Sequence, residues 1–200
     1  ESWEEKTLNE ICTISSGGTP SRKRLEFYTG SIPWIKTGEI EWNYIYDSEE
    51  KITEEAILNS SAKLFPAGTV LVAMYGQGLT RGRAAILGIN AATNQAVCAL
   101  IPSDKVLNKY LFYYFMKNYW SFREKAVGGN QPNYSGTMIG RFSIMLPSLL
   151  EQQEIVRILD SLFEKEQKAK EIYNVIEKID LIKKAILARA FRGELGTNDP

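Results

Sequence analysis

Two hundred residues, 44% hydrophobic and 24% charged, make one large globular domain or one domain with an appendage, with enough apolar content to build a core. The formal net charge is zero and the chain has no histidine, which excludes Ser-His-Asp and Cys-His nucleophile systems, His-ligated metals and an imidazole base. No apolar run approaches the ~20 residues a bilayer needs, and Glu1-Ser2-Trp3-Glu4 is neither a basic nor an apolar targeting region, so the chain is read as cytoplasmic, with no membrane partner.

In chain order, Thr7 to Ser15 has the mixed pattern of a short strand, broken by Gly17-Gly18-Thr19-Pro20. A basic loop tip follows in Arg22, Lys23 and Arg24, either plainly solvated or a phosphate contact. Pro33 makes Ile32-Pro33-Trp34-Ile35 an edge strand or a strand start. From Glu39 to Glu55 there are seven acids against Lys51, a net of minus six, which should face away from any anionic ligand. Within it, Glu49-Glu50-Lys51 has the form of a nuclease Glu-x-Lys, but no Pro-Asp precedes it. Thr53 to Asn59 reads as a short helix capped by Thr53.

Thr69 to Tyr75 is the strongest strand signal, apolar on both faces and therefore central. It ends at Gly76-Gln77-Gly78-Leu79-Thr80-Arg81-Gly82, where the third glycine falls one position late for a dinucleotide loop and no Gly-Lys-Ser/Thr completes a phosphate loop. The stretch is read as a flexible hairpin carrying Gln77, Thr80, Arg81 and Arg83, and no cofactor or metal is expected. Gly76 to Leu146 holds eight basic against two acidic residues, a net of plus six, so an anionic ligand should meet this part of the chain. Ala96 to Ile101 is a buried strand, and Cys12 and Cys98, both among apolar neighbours, are expected as buried free thiols. The aromatic-rich helix from Lys105 to Val127 is apolar all round, which favours a core role over base stacking. In Gly128 to Tyr134, Asn130, Gln131 and Asn133 are the side-chain types that bond adenine, although such loops are often plain turns. Phe142 to Leu146 is a closing strand.

Pro147, Ser148 and Glu151 form a complete helix entry with a capping box, and no Gly or Pro interrupts the chain until Gly193. A helix of such length, about 65 Å, exceeds what the preceding domain can cover. Ile155, Leu159, Leu162, Ala169, Tyr173 and Ile176 form one apolar row, and Ile172, Val175, Ile179, Ile182 and Ile186 a second on a neighbouring face. Two offset rows suit a helix serving two neighbours; the plainer reading is a core helix of one domain.

Several of these stretches together resemble the specificity subunits of type I restriction–modification systems. They are Ser16-Gly17-Gly18-Thr19-Pro20-Ser21, Tyr28 to Ile35, the Pro66 to Tyr75 strand with its Gly-rich sequel, and Thr93-Asn94-Gln95. Gly129-Asn130-Gln131-Pro132-Asn133, Leu146 to Ile155 and Ala185 to Leu195 complete the set. The resemblance implies an α+β chain: a mixed α/β target-recognition domain over 1–147 with a small, mostly antiparallel sheet, one long helix over 148–193 forming an antiparallel coiled coil, and a polar tail over 194–200. It implies binding to double-stranded DNA, docking to methyltransferase and restriction subunits, and no catalytic activity. The usual subunit carries two such pairs. This sequence has one, so it reads as a half subunit that forms a homodimer through the long helix, or as a fragment of a two-domain chain. A helix of about 65 Å would span at most about 19 base pairs at ~3.4 Å each. The competing reading is a protein-interaction adaptor that uses the helix and has no sequence-specific DNA reading, which zero net charge favours.

Overall fold

The computed structural model describes residues 3–76, 78–127 and 133–195. The elements run β1 Glu4–Thr7, α1 Leu8–Ile11, β2 Cys12–Ser16, β3 Ile32–Ile35, β4 Tyr44–Ile45, β5 Glu50–Ile52, α2 Glu54–Leu58, β6 Leu64–Phe65, β7 Val70–Ala73, β8 Ala84–Leu87, β9 Ala91–Thr93, β10 Val97–Pro102, α3 Asn108–Val127, α4 Gly136–Gly140, β11 Ser143–Leu146 and α5 Leu149–Phe191. In place of the single strand expected over Thr7 to Ser15, the one-turn helix α1 separates β1 from β2. The Glu10 carboxylate accepts from the Thr7 N–H at 2.6 Å and the Thr7 hydroxyl at 2.7 Å, an N-terminal cap that outweighs the local alternation.

The α+β class holds, with three small sheets instead of one. A five-stranded sheet has the order β2-β10-β7-β8-β4, a four-stranded one β5-β3-β9-β6, and β1 pairs with β11. Pairing is antiparallel except for β3 with β9 and β4 with β8. β7 is central, as its two-sided apolarity requires. Val70 and Val72 face one cluster with Leu8, Ile11, Leu111, Phe115 and Ile139. Leu71 and Ala73 face a second with Ile35, Ile40, Phe65 and Ala91, the period-2 alternation of a strand. Trp34 and Ala92 point to a third cluster with Phe27, Ile52 and Ala56. The order is thus helices, five-stranded sheet, four-stranded sheet, then α2 and the turn before β3. Pro33 lies at the second position of β3, an interior strand, where β9 pairs only from Trp34 onward, so its missing N–H interrupts no bond to β9.

Cys12 and Cys98 are free and buried. Burial pushes both thiols up to about 12.

Contacts divide the chain into two compact units, Glu1–Val156 and Arg157–Pro200. The boundary falls within α5 because Gln152 and Val156 on its first turns are buried. The Ser148 N–H donates to the Glu151 carboxylate at 3.1 Å and the Glu151 N–H to the Ser148 hydroxyl at 3.3 Å, the two bonds of the capping box. Gln152 is fully buried: its side-chain carbonyl accepts from Leu107 N–H at 2.9 Å, and its amide donates to the carbonyls of Lys105 and Pro147 at 3.0 and 2.9 Å. In the second unit α5 continues to Phe191, with Glu164–Lys168 and Glu166–Lys170 pairs one turn apart. Gly193, at φ +71°, sits where the chain leaves the helix in the left-handed region.

Candidate nucleic-acid interface

The basic segment delivers its hairpin to one end of the five-stranded sheet. β2 and β7 both run antiparallel to β10, and the register puts Ser16 and Val72 on either side of Cys98. The Gly17-Gly18 segment and the loop after β7 therefore leave the same end of that sheet. The Tyr134 N–H donates to the Met74 carbonyl at 3.1 Å, which brings the segment holding Asn133 to the base of the hairpin. Thr80, Arg81, Arg83 and Asn133 are thus gathered at one end of the sheet. Gln77, Asn130 and Gln131, also expected in this site, lie outside the described residues.

The hairpin is held from α3. Arg123 donates from Nη1 to the Arg81 carbonyl at 2.6 Å and from Nη2 to the Gly78 carbonyl at 2.7 Å. The Tyr119 hydroxyl donates to the Leu79 carbonyl. Gly82, at φ +88°, lets the chain pass the rings of Tyr134 and Tyr119, where a Cβ would come within 3.3 to 3.4 Å of both. The Arg81 guanidinium stands 5.8 Å from the Tyr134 ring centroid. Arg81 Nε and the Tyr134 hydroxyl are both buried without a hydrogen-bond partner among the described residues. Burial pushes the Tyr134 phenol up, while Arg81 and Arg123 pull the other way. Neither Arg81 nor Arg123 makes an ion pair among the described residues, and with the Tyr134 phenol the two guanidiniums form a local excess of donors, the chemistry of an anion-facing surface.

The other basic element is placed differently. Arg22 donates both Nη atoms to the Glu50 carboxylate, at 2.5 and 3.2 Å, and its guanidinium lies 4.2 Å from the Tyr28 ring centroid and 5.0 Å from that of Trp34. Arg24 pairs with Glu26 and Glu55, each at 2.7 Å. Lys23 is exposed and makes no ion pair among the described residues. The acidic segment therefore does not face away as a block. Its carboxylates take Arg22, Arg24, Lys36, Lys51 and, at 3.4 Å, Arg83. Glu50 belongs to this ion-pair network, and both Arg22 and Lys36 hold it below the usual carboxylate range.

Sequence reasoning missed Tyr119, Arg123, Tyr134 and Trp42. Trp42, at φ +61°, packs edge-on against Phe112 and Tyr119, and with Leu79, Arg83, Met116 and Trp120 it lines a cleft of about 320 Å³ beside the hairpin. A non-glycine residue in that conformation is a structural cost that its surroundings must offset. Only α3's aromatic and basic composition hinted at this, because the contacts span about 40 residues of sequence. α3 also departs from an all-round core helix: Leu111, Phe115 and Phe122 are buried, and Trp120 is 62% exposed. Among the described residues no cluster of His, Cys, Asp and Glu is placed to hold a metal, and no helix is long and apolar enough to cross a membrane.

On α5, Ile155 and Leu159 are partly buried and Leu162 is exposed. Ile172, Val175, Ile176, Ile179, Ile182 and Ile186 are 46 to 62% exposed. At 100° per residue these six occupy a stripe of about 120°.

The chain matches the model of the type I restriction modification DNA specificity domain over residues 1–178. It belongs to that family. Among curated specificity subunits of type I restriction enzymes, it is 36% identical over 161 residues to that of EcoR124I/EcoR124II from Escherichia coli, which covers 78% of this chain and 40% of the relative. It is 35% identical over 187 residues to that of MjaIX from Methanocaldococcus jannaschii, covering 90% of this chain and 42% of the relative. This specificity domain thus spans about two-fifths of the length of the relatives it matches. The HsdS subunit from Thermoanaerobacter tengcongensis shares its fold, with a TM-score of 0.68 and 19% identity over 96% of this chain and 45% of that one. So does a chain from a structure of a type I restriction–modification system, with a TM-score of 0.75 and 20% identity over 96% and 46%.

Proposed function

We propose that this specificity domain is a non-catalytic DNA-recognition unit. It binds a half-site of a bipartite duplex target, pairs with a second copy through an antiparallel coiled coil of α5, and docks the methyltransferase and restriction subunits of a type I enzyme. Residues 1–147 then form the target-recognition domain and 148–193 the pairing and spacing helix. The observation that carries DNA reading is the hairpin over 76–83. It presents Arg81, which makes no ion pair among the described residues, on a loop whose shape is fixed through its own carbonyls. A guanidinium so presented suits a phosphate or the edge of a guanine. Zero net charge does not oppose this, since carboxylates of the acidic segment are paired with Arg22, Arg24 and Lys36 from outside it and with Lys51 within it.

The α5 stripe is also what an adaptor without DNA reading would use, so the test must separate the two. Selection of duplexes from a random pool, with methylation subunits present, is expected to enrich a defined motif; a pool left unenriched favours the adaptor. On the enriched duplex, Arg81→Ala with Arg83→Ala should weaken binding and flatten the plot of log affinity against log salt by about 0.9 or more, the share of one phosphate contact. Unchanged affinity and slope would remove the hairpin from the interface.

A further inference from the structure

We infer that Arg123 is a positioning residue for the hairpin and makes no contact with DNA, an inference that rests on the hairpin's role proposed above. Arg123 lies in the most basic part of the chain, where charge counting would assign it to a phosphate. The geometry assigns it otherwise. Its two Nη groups are committed to the carbonyls of Gly78 and Arg81, at 2.7 and 2.6 Å. Its guanidinium lies 5.2 Å from the Tyr119 ring centroid and 6.0 Å from that of Trp120. With the Tyr119 hydroxyl on the Leu79 carbonyl, three carbonyls of one short loop are held by two side chains one turn apart on α3. Two of its five N–H donors are fixed to loop carbonyls, so a phosphate that drew the guanidinium away would release that loop.

The consequence is a division of labour between two arginines. Arg123 spends its planar fork on backbone shape, and Arg81, over the Tyr134 ring, makes no ion pair among the described residues and has a buried Nε without a hydrogen-bond partner among them, which leaves its charge for a ligand. A lysine cannot reproduce Arg123, because its donors sit on one nitrogen of a flexible stem and not on two nitrogens of a rigid planar fork.

The test uses the full chain with Arg123→Lys, Arg123→Gln and Tyr119→Phe. It is read on the duplex enriched from the random pool and on a shuffled duplex of equal length. Both Arg123 variants should lose roughly tenfold on the enriched duplex, about the cost of one misread base pair, with binding to the shuffled duplex and the salt slope unchanged. Tyr119→Phe should move the same way by a smaller factor. The inference is overturned if Arg123→Gln weakens both duplexes alike and lowers the slope by about 0.9, with Arg123→Lys restoring both, since that is a phosphate contact. Hydrogen exchange reads the clamp without DNA. Amides over 78–83 should exchange about tenfold faster in Arg123→Lys, the loss of a charge-assisted bond, and unchanged exchange also overturns the inference. Accelerated exchange alongside an Arg81→Ala, Arg83→Ala variant that still binds normally would mean that the hairpin's DNA role has failed while the clamp stands.

Discussion

A chain carrying Ile179→Glu and Ile186→Glu is expected to sediment as a monomer at concentrations where the parent chain is a dimer. The two isoleucines are 46% and 50% exposed in the single chain, so covering them removes somewhat under 100 Å² each from water, about 2 kcal/mol apiece at 25 cal/mol/Å². Four such side chains across a symmetric pair contribute about 8 kcal/mol, more than five powers of ten in dissociation constant, before any penalty for burying carboxylates. Both positions face solvent in the isolated chain, so far-ultraviolet circular dichroism and the melting of the first unit should stay as in the parent. Sedimentation velocity decides the matter. A parent that is monomeric at tens of micromolar, or a variant that still dimerises, would sink the proposed pairing.

Gln152→Leu is the second large effect, on stability. The substitution keeps the volume and removes every polar atom, leaving the Leu107 N–H and the Lys105 and Pro147 carbonyls without the bonds they now make. Unsatisfied buried groups cost about 1–3 kcal/mol each, with carbonyls at the low end, so a loss of about 3 kcal/mol is expected. For a chain of this size that corresponds to a melting shift of roughly 6–12 °C. A shift under about 2 °C would show that these groups find other partners. Gln152→Glu should also destabilise, since a carboxylate can accept from Leu107 but cannot donate to two carbonyls.

What was legible in the sequence was local. Thr53 accepts from the Ala56 N–H at 3.1 Å, Ser148 and Glu151 form their box, and Val70–Ala73 is buried on both faces. In each case the determining residues lie within a few positions of each other. Thr7 and Glu10 carried the same kind of signal as Ser148 and Glu151, and the strand-like alternation around them hid it. Arg22 could not be read as an internal ion pair because Glu50 is 28 positions away. The meeting of two separated motifs was equally hidden. The Gly18 N–H donates to the Thr93 carbonyl at 2.9 Å, Thr19 bonds Gln95, and the Trp34 indole donates to the Gly18 carbonyl at 3.0 Å. Charge counting placed Arg81, Arg83 and Arg123 in one basic segment, but only the fold separates the arginine bonded to loop carbonyls from those that can reach a ligand.

The two buried cysteines turn the sheet into its own clock. Cys98 lies in the row that joins Ser16 to Val72, at the end of the sheet that carries the hairpin. With the thiols pushed up to about 12, only about one in ten thousand is ionised at pH 8, and burial blocks a modifying reagent besides. Alkylation of the native chain must then wait for the core between the five-stranded sheet and the helices to open, since both thiols belong to that cluster. Its rate counts those openings, and a duplex that binds only the closed form slows it by the factor one plus ligand concentration over dissociation constant. Binding at the loops thereby becomes readable as protection of two sulfur atoms in the core.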